Sequence, residues 1–468
     1  MISVLLLLIV PPALQSPELV NSGNLPGLRW PNFAAMRPEV ARFYASDGYR
    51  LAWVREGAAT PQARALMTAF QNAALKGLDP KDYDAWRWNR SQTGDQCFDL
   101  ALTISTMRYV HDLSSGKVEP ELFAFGLHFD QSKIGLAAEA RILSSSADVA
   151  AELRRLEPPF DGYWRTEQAL ARYLAAARNN TDPAPASKRP LPVRIRQLQL
   201  VLERWRWVPH SFPRPPLVVN IPEFRLRAYD DHYRPELEMK VVVGKAYRHK
   251  TPVFSAEMTA LIFRPYWDVP LNIQREELAP KIAEDPAYLA SNDYEIVDAH
   301  RKVVSRDAVT ADMLDQLRTG ELFIRQIPGD KNALGFVKFL IPNPYDVYLH
   351  GTPAKALFLR SRRDFSHGCI RVENPDQLAQ WALQGLPGWD MDRIHEAERG
   401  RESIQVPLDQ PIPVLIVYGT AVARPNGEVE FFDDIYGHDR ALEQVLDHGY
   451  PYSGWQVTGR HADSAARP

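Results

Sequence analysis

The chain has 468 residues, of which 45% are apolar and 24% are charged, and its formal net charge is -3. This length is too great for one ordinary hydrophobic core, so two or three domains are expected, and the composition excludes a disordered chain. A net charge this close to zero excludes a global field that would attract nucleic acid, so we expect no nucleic-acid partner.

The N-terminal residues 1–10 are almost entirely apolar, and Pro11 and Pro12 follow them. A membrane-spanning helix needs about 20 apolar residues, so this run is too short to cross a bilayer. It is typical of the hydrophobic part of a secretory signal, although no Lys or Arg precedes it and no clean cleavage site follows. We expect residues 1–16 to direct export, and an uncleaved segment would hold the protein peripherally at a membrane.

Residues 37–178 are predicted to form a helical domain. The Thr60-Pro61 pair supplies a helix N-cap and a proline at the first helical position. Further long helices are predicted over 95–113 and 162–178, where apolar residues recur at helical spacing. The next stretch, 179–192, is rich in Asn, Pro and other loop residues, which indicates a linker.

The periodicity changes to two-residue alternation at Leu217, after one more predicted helix over 193–207. The predicted strands cover 217–221, 224–229, 237–243, 258–263, 322–327, 336–340, 347–349, 414–418 and 428–432, and two helical segments among them cover 274–289 and 376–384. Residues 193–450 are therefore expected to form a mainly β domain with helical insertions, followed by a tail over 451–468. The predicted fold class is a multidomain α+β protein with a helical N-terminal domain.

The chain contains two cysteines, which occur in different settings. Cys97 lies at the start of an apolar helix, where we expect it to pack as a small apolar group. Cys369 lies among small and polar residues, with His367 two positions before it, and His350 ends an apolar run. A neighbouring imidazole raises the thiolate fraction of a cysteine, so Cys369 is the candidate nucleophile. A disulfide between the two cysteines would consume this nucleophile, so none is expected.

The residues around Cys369 indicate how acyl transfer would be assisted. His350 is the candidate general base, and the carbonyl of Gly351 is the natural group to orient its ring. Because Gly368 tolerates unusual backbone angles, its N–H and that of Cys369 could form an oxyanion hole. The Tyr348 hydroxyl, on the same strand face as His350, could add a further donor.

Several charged and metal-binding side chain types lie near Cys369 in the sequence. Arg371 is the member of a local basic cluster that is best placed to hold a substrate carboxylate, whereas Ser366 is expected to make hydrogen bonds within its loop. A zinc site would have to use residues spread along the chain, namely His249, His350, His367 and Cys369. No second cysteine and no close His-x-x-x-His pair completes the usual tetrahedral spacing, so we expect no metal and no cofactor.

The sequence around the candidate site resembles the catalytic signature of the L,D-transpeptidases, in His350-Gly351-Thr352-Pro353 and in Phe365-Ser366-His367-Gly368-Cys369-Ile370-Arg371-Val372. That signature is a histidine, a spacer of about fifteen residues and then Ser/Thr-His-Gly-Cys, and the spacing makes it specific. Other segments are similar to the large periplasmic branch of this family, namely 243–248, 251–255, 265–270, 331–335 and 342–349. Two helical segments, 77–80 and 113–118, resemble the scaffold domain of that branch.

The resemblance implies an activity for the domain within 193–450. Cys369 would form a thioester with a peptidoglycan tetrapeptide stem and release D-alanine, and a diaminopimelate amine of a second stem would resolve it into a 3-3 cross-link. His350 would act as general acid and base, and carbapenems would acylate Cys369. The protein would act in cell-wall organisation in a Gram-negative periplasm. The implied substrate-binding residues are Tyr348, Ser366, His367, Arg371 and Trp267, the last in a segment that covers the cleft.

Two alternatives stay open at this stage. If water resolves the same thioester, the protein is a carboxypeptidase or hydrolase that releases stems or attached proteins from the wall, because acceptor choice depends on which groups exclude water. A non-catalytic wall-binding scaffold protein is the alternative of another class, and the intact His350 and Cys369 argue against it.

The resemblance departs from the family in one respect. Members of the large periplasmic branch commonly carry a small helical peptidoglycan-binding module between the scaffold and catalytic domains. Only the short stretch 179–192 occupies that place here. We therefore expect the module to be absent.

Overall fold

The computed structural model describes residues 17–88, 95–127, 134–184 and 187–449. The chain divides into two compact units, one of residues up to Ser211 together with those from Gly419 onward, the other Phe212–Tyr418. The first unit is mainly helical and the second is rich in strands, which confirms the predicted fold class. The predicted signal over 1–16 and the tail over 451–468 lie outside the described residues. In the described part of the chain, no helix is long and apolar enough to span a membrane.

The helices begin and end largely where caps and prolines predict. They are α1 (Pro17–Asn21), α2 (Arg37–Ala45), α3 (Pro61–Gln71), α4 (Gln96–Ser115), α5 (Leu136–Ser145), α6 (Val149–Arg155), α7 (Asp161–Arg178), α8 (Leu191–Trp205), α9 (Leu271–Ile273), α10 (Ala279–Glu284), α11 (Ala287–Ser291), α12 (Ala311–Thr319), α13 (Pro375–Ala382), α14 (Met391–Arg399) and α15 (His438–His448). Helix α3 begins at Pro61 as predicted, because the Thr60 side chain accepts a hydrogen bond from the Ala63 N–H.

The strands are short in the first unit and longer in the second. They are β1 (Val54–Arg55), β2 (Ala58–Ala59), β3 (Leu217–Asn220), β4 (Arg225–Tyr229), β5 (Pro235–Gly244), β6 (Phe254–Phe263), β7 (Trp267–Asp268), β8 (Tyr294–Val297), β9 (Val303–Ser305), β10 (Phe323–Gln326), β11 (Val337–Leu340), β12 (Leu349–His350), β13 (Asp364–Ser366), β14 (Ile370–Val372), β15 (Ile404–Val417), β16 (Ala421–Ala423) and β17 (Val429–Phe431). Strands β1 and β2 form one hairpin, and β16 and β17 form another.

The second unit, Phe212–Tyr418, contains fewer residues than the mainly β domain predicted over 193–450. Helix α8, which that prediction assigned to the β domain, packs against α7, and the β16–β17 hairpin completes the same apolar cluster. The buried members of this cluster are Tyr163, Ala169, Leu170, Tyr173, Leu198, Val201, Leu202, Ala421 and Ala423. The apolar stripe of α8 is thus covered within the first unit. The predicted linker over 179–192 accordingly joins two helices of one unit.

The predicted core position of Cys97 is wrong. Cys97 is the second residue of α4 and is exposed. The buried face of α4 begins one residue later at Phe98, whose N–H donates to the Asp95 carboxylate at 2.6 Å and so closes the first helical turn. Cys97 therefore faces solvent, and both cysteines are free thiols.

Of the described strands of the second unit, nine form a sheet that closes into a ring. They follow the order β13-β5-β14-β12-β11-β6-β15-β3-β4, and β4 also pairs with β5, so the sheet closes on itself. Strand β12 is parallel to β14 and antiparallel to β11. Alternating apolar side chains fill the interior, and many of them, such as Val241, Leu261 and Ile416, are fully buried.

An insertion between β6 and β11 forms its own small layer, which we call the insert (residues 267–326). It contains a four-stranded sheet in the order β7-β10-β8-β9, the helices α9 to α12 and a π-helical turn, Gln274–Leu278. The helical insertion predicted over 274–289 is present. Strand β8 was not predicted, because it is buried on both faces and shows no alternation.

The pairing register of the ring brings three polar side chains into one row. Lys338 on β11 lies opposite His350 on β12, and His350 lies opposite Arg371 on β14. Paired positions on neighbouring strands direct their side chains to the same face of a sheet. A cationic side chain therefore flanks His350 on each side.

The turn before β11 must approach the backbone after His350 closely. Gly335 has a φ of 64°, and a Cβ at this position would lie 2.7 Å from the Thr352 nitrogen and 2.8 Å from the Gly351 carbonyl carbon. The Gly351 N–H donates to the Val337 carbonyl at 2.9 Å, so the same contact region holds the residue after His350. A side chain at Gly335 would displace this backbone.

We predict that Gly335→Ala lowers the free energy of unfolding by about 2 kcal/mol or more, because a positive φ and a backbone clash both act against the methyl group. The measurement is the shift of the urea unfolding midpoint. Gly329→Ala is the matched control, since its added Cβ would meet no atom within 4 Å. Equal stability of the two variants would contradict the prediction.

Candidate active site

His350 is held as a neutral imidazole with a defined tautomer. Its Nδ1 lies 2.6 Å from the Gly351 carbonyl oxygen. Because a carbonyl can only accept, Nδ1 carries the proton and donates, and Nε2 keeps its lone pair. The side chain sits at the end of β12 and is only 5% exposed. Gly351 thus occupies the orienting position that the sequence predicted for it.

The electrostatic surroundings of His350 disfavour its protonation. Burial, the charge of Arg371 and the charge of Lys338 lower the pKa of His350 to about 3, and the bond to the Gly351 carbonyl opposes this shift. The imidazole is therefore neutral at any ordinary pH. A neutral, oriented imidazole can accept a proton on Nε2.

Cys369 directly precedes β14 and is half-buried. Its Sγ lies 3.6 Å from the Asp346 carbonyl oxygen, which can accept the thiol hydrogen. Burial raises the pKa of the Cys369 thiol, whereas the backbone N–H and hydroxyl of Tyr348 and the positive charge of Lys338 lower it. The resting group is a thiol, so a nearby base is needed to produce the thiolate.

Tyr348 contacts Cys369 and also lies beside His350 and Lys338. Burial and the neighbouring Cys369 raise the pKa of Tyr348 well above its usual value, so the hydroxyl stays protonated and can donate. The centroid of the Tyr348 ring lies 5.6 Å from that of the His350 ring and 4.0 Å from Lys338 Nζ. The hydroxyl also contacts Trp267 of the insert. The predicted donor position of Tyr348 therefore lies beside the thiol.

The loop before Cys369 is braced by two hydroxyl groups. Ser366 Oγ donates to the Cys369 carbonyl at 2.6 Å and accepts the Gly368 N–H at 3.2 Å. Thr251 Oγ1 donates to the Gly368 carbonyl at 2.7 Å and accepts the Gly244 N–H at 2.8 Å. These bonds fix the backbone on which the thiol is mounted.

Two sequence-based assignments change as a result. Ser366 is buried and its hydroxyl is used within the loop, so the structure does not place it as a substrate-binding residue. The Gly368 N–H is also engaged, by Ser366, and this leaves the Cys369 N–H as the donor of this loop that could meet an oxyanion. The unusual backbone conformation expected at Gly368 is present, since its φ is 119°.

His367 and Trp267 contact the insert or belong to it. His367 Nε2 lies 2.6 Å from Glu277 Oε1 in the π-helical turn, and its ring lies 4.6 Å from that of His249. Trp267 lies in β7 of the insert and packs beside Tyr294 at 6.4 Å between ring centroids. Both residues thus link the insert to the loop and the thiol, and neither is shown to face a substrate.

Three side chains at the site were missed by sequence reasoning: Thr251, Glu277 and Lys338. Thr251 lies within the segment 251–255, and the resemblance of that segment to the family could have identified it as a site residue. No sequence signal identified the other two, because their positions depend on strand register and on the fold of the insert. Among the described residues, no group of three His, Cys, Asp or Glu side chains is arranged to hold a metal ion.

Comparisons with known proteins match two parts of the chain to known domains. Residues 38–170 match the scaffold domain, and residues 215–390 match the L,D-transpeptidase catalytic domain. A protein of Haemophilus influenzae (strain ATCC 51907 / DSM 11121 / KW20 / Rd) that is provisionally named an L,D-transpeptidase is 35% identical over 226 residues. This alignment covers 48% of the present chain and 45% of that relative, so just under half of either protein is compared.

We predict that Thr251→Val lowers the free energy of unfolding by about 1–3 kcal/mol, because it removes both hydrogen bonds of the buried hydroxyl. Thr251→Ser, which retains the hydroxyl, should lose less. Urea unfolding measures the stability, and hydrogen–deuterium exchange should show faster exchange at Gly244 in the valine variant only. A valine variant with unchanged stability and exchange would rule out the bracing role.

Proposed function

Because this chain contains an L,D-transpeptidase catalytic domain and so belongs to that family, we propose that it is a cysteine-dependent acyltransferase that forms 3-3 cross-links in peptidoglycan. The observation that carries the proposal is the buried, oriented imidazole of His350 on the strand that pairs with the strand directly after the Cys369 thiol. His350 ends β12, Cys369 directly precedes β14, and the Tyr348 hydroxyl contacts the thiol. Substrate identity is taken from the family, and the residues supply the chemistry.

In the first half-reaction, His350 Nε2 takes the proton of Cys369 while Sγ attacks the carbonyl carbon between diaminopimelate and D-alanine. The carbonyl oxygen becomes an oxyanion, towards which the Cys369 N–H and the Tyr348 hydroxyl can donate. The C–N bond then breaks, and His350 returns its proton to the leaving amine of D-alanine. The product is a thioester on Cys369.

In the second half-reaction, the side-chain amine of a second diaminopimelate attacks the thioester carbon. His350 accepts a proton from the attacking nitrogen and passes it to Sγ as the C–S bond breaks. An amide joins the two stems, and the thiol is regenerated. Water attacking in place of the amine would give a free tripeptide, so the acceptor decides between cross-linking and hydrolysis.

We also propose that the protein acts on the wall from the periplasm of a Gram-negative cell. The support is the apolar run of residues 1–10 and the extracytoplasmic position of the proposed substrate. Carbapenems are proposed to acylate the same cysteine, because they present a strained carbonyl to the nucleophile. The proposed partners are peptidoglycan stems.

We predict that Cys369→Ala abolishes both the thioester with a tetrapeptide stem and the carbapenem adduct, because the substitution removes the attacking sulfur. Intact-protein mass spectrometry measures both species. Cys97→Ser is the control and should be acylated like the unmodified protein, since Cys97 is exposed on the other unit. An adduct that persists in Cys369→Ala would overturn the mechanism.

We predict that His350→Ala slows acylation by about 100-fold or more, as expected for loss of a general base. His367→Ala should have a much smaller effect, because its Nε2 already bonds Glu277. Stopped-flow or quenched mass spectrometry gives the acylation rates. The opposite order of effects would exchange the two assignments.

The products identify the acceptor. Purified disaccharide tetrapeptide is incubated with the enzyme and the products are separated by chromatography and mass. A cross-linked dimer that has lost one D-alanine is the expected result. Free tripeptide without dimer would show that water resolves the thioester and would reject cross-linking.

A further inference from the structure

Two cations flank the candidate base without a carboxylate to balance them. Lys338 and Arg371 stand opposite His350 on the strands to either side. In the described residues, neither Lys338 nor Arg371 takes part in an ion pair, and the buried Nε of Arg371 has no hydrogen-bond acceptor. Most other basic side chains on this ring are paired, as Lys240 is with Glu373 at 3.3 Å.

The charge of Lys338 is compensated only weakly. Its Nζ lies over the face of the Tyr348 ring, 4.0 Å from the centroid, a contact that stabilises a cation modestly. Asp268 and Asp346 act on Lys338 from a distance, but Asp268 is paired with Arg301 at 3.0 Å. The ammonium is therefore held in a half-buried position where an anion would be favourable.

We propose that Lys338 is a substrate-binding residue that, together with Arg371, holds a carboxylate of the donor stem beside His350. The proposal rests on the proposed function, in which the donor is a stem peptide. Such a donor carries carboxylates close to the scissile amide, one on the terminal D-alanine and one on diaminopimelate. A planar guanidinium and an ammonium on the strands either side of His350 are the kinds of group that hold the oxygens of a carboxylate.

A carboxylate bound between Lys338 and Arg371 would also change the pKa of His350. The charges of Arg371 and Lys338 both lower the pKa of His350. A carboxylate bound between these cations offsets them, so the pKa of His350 rises when the donor is present. Proton transfer from Cys369 then becomes easier in the complex than in the free enzyme.

The first experiment compares donor peptides that differ in one carboxylate. The peptides are the tetrapeptide stem, its C-terminal amide and the stem amidated on diaminopimelate, and thioester formation is followed by mass spectrometry. Lys338→Met is expected to lower kcat/KM about tenfold for the tetrapeptide and about twofold or less for the analogue that lacks the recognised carboxylate. The amidated peptide whose kcat/KM is nearly unaffected by Lys338→Met identifies which carboxylate is bound.

Controls separate charge from folding. Lys338→Arg keeps a cation and should recover most of the lost kcat/KM, whereas Lys240→Met, on the same ring but paired with Glu373, should not change it. Circular dichroism and the thermal midpoint verify that the variants fold. If Lys338→Met affects all three peptides equally, or none of them, the proposal is overturned.

The second experiment does not depend on peptidoglycan. Iodoacetate carries a carboxylate and iodoacetamide does not, and the exposed Cys97 is an internal reference for their intrinsic reactivity. We expect the Cys369-to-Cys97 ratio of alkylation rates to be about tenfold higher with iodoacetate, and the difference to disappear in Lys338→Met. Equal ratios for both reagents in the unaltered protein would overturn the carboxylate site.

The two experiments fail in different ways. If no stem peptide forms a thioester but the preference for iodoacetate persists, the proposed function falls and the carboxylate site stands. If the thioester forms equally well in Lys338→Met and the unaltered protein, the proposed function stands and the carboxylate site falls.

Discussion

The pairing register of β11, β12 and β14 is the constraint on which the site depends. It places Lys338, His350 and Arg371 in one row and the imidazole between two cations. A shift of β12 by one residue would turn His350 to the other face of the sheet, away from both neighbours.

Burial acts on the base and the nucleophile in the same sense, since it favours the uncharged form of each. It lowers the pKa of His350 and raises that of Cys369, so moving a proton between them creates two charges in a buried site. Compensation must come from groups around the developing charges. The Tyr348 hydroxyl and Lys338 act on the sulfur, and the Gly351 carbonyl acts on the imidazolium. The site thus combines donors near the thiol with an acceptor behind the ring.

The sequence predicted the parts of the site that depend on local order. Cys369, His350 and Gly351 were found because they lie within one short motif. The Thr251 hydroxyl bonds a residue 117 positions away, and Glu277 bonds one 90 positions away, so no periodicity could associate them. The predicted start of the β domain at residue 193 differs from the observed division into units for a similar reason. The apolar stripe of α8 predicts that another element packs against it, but it does not show that this element is α7 and not the β ring.

The insert influences the site through two contacts, and each of them involves a residue that sequence reasoning had assigned to substrate, Trp267 in one and His367 in the other. Trp267 contacts the Tyr348 hydroxyl, and Glu277 bonds His367 in the loop that carries the thiol. Displacement of the insert would break both contacts at once and change the donor strength of Tyr348 as well as the position of His367. The reactivity of Cys369 is therefore coupled to the placement of the insert, and not only to the motif around the sulfur.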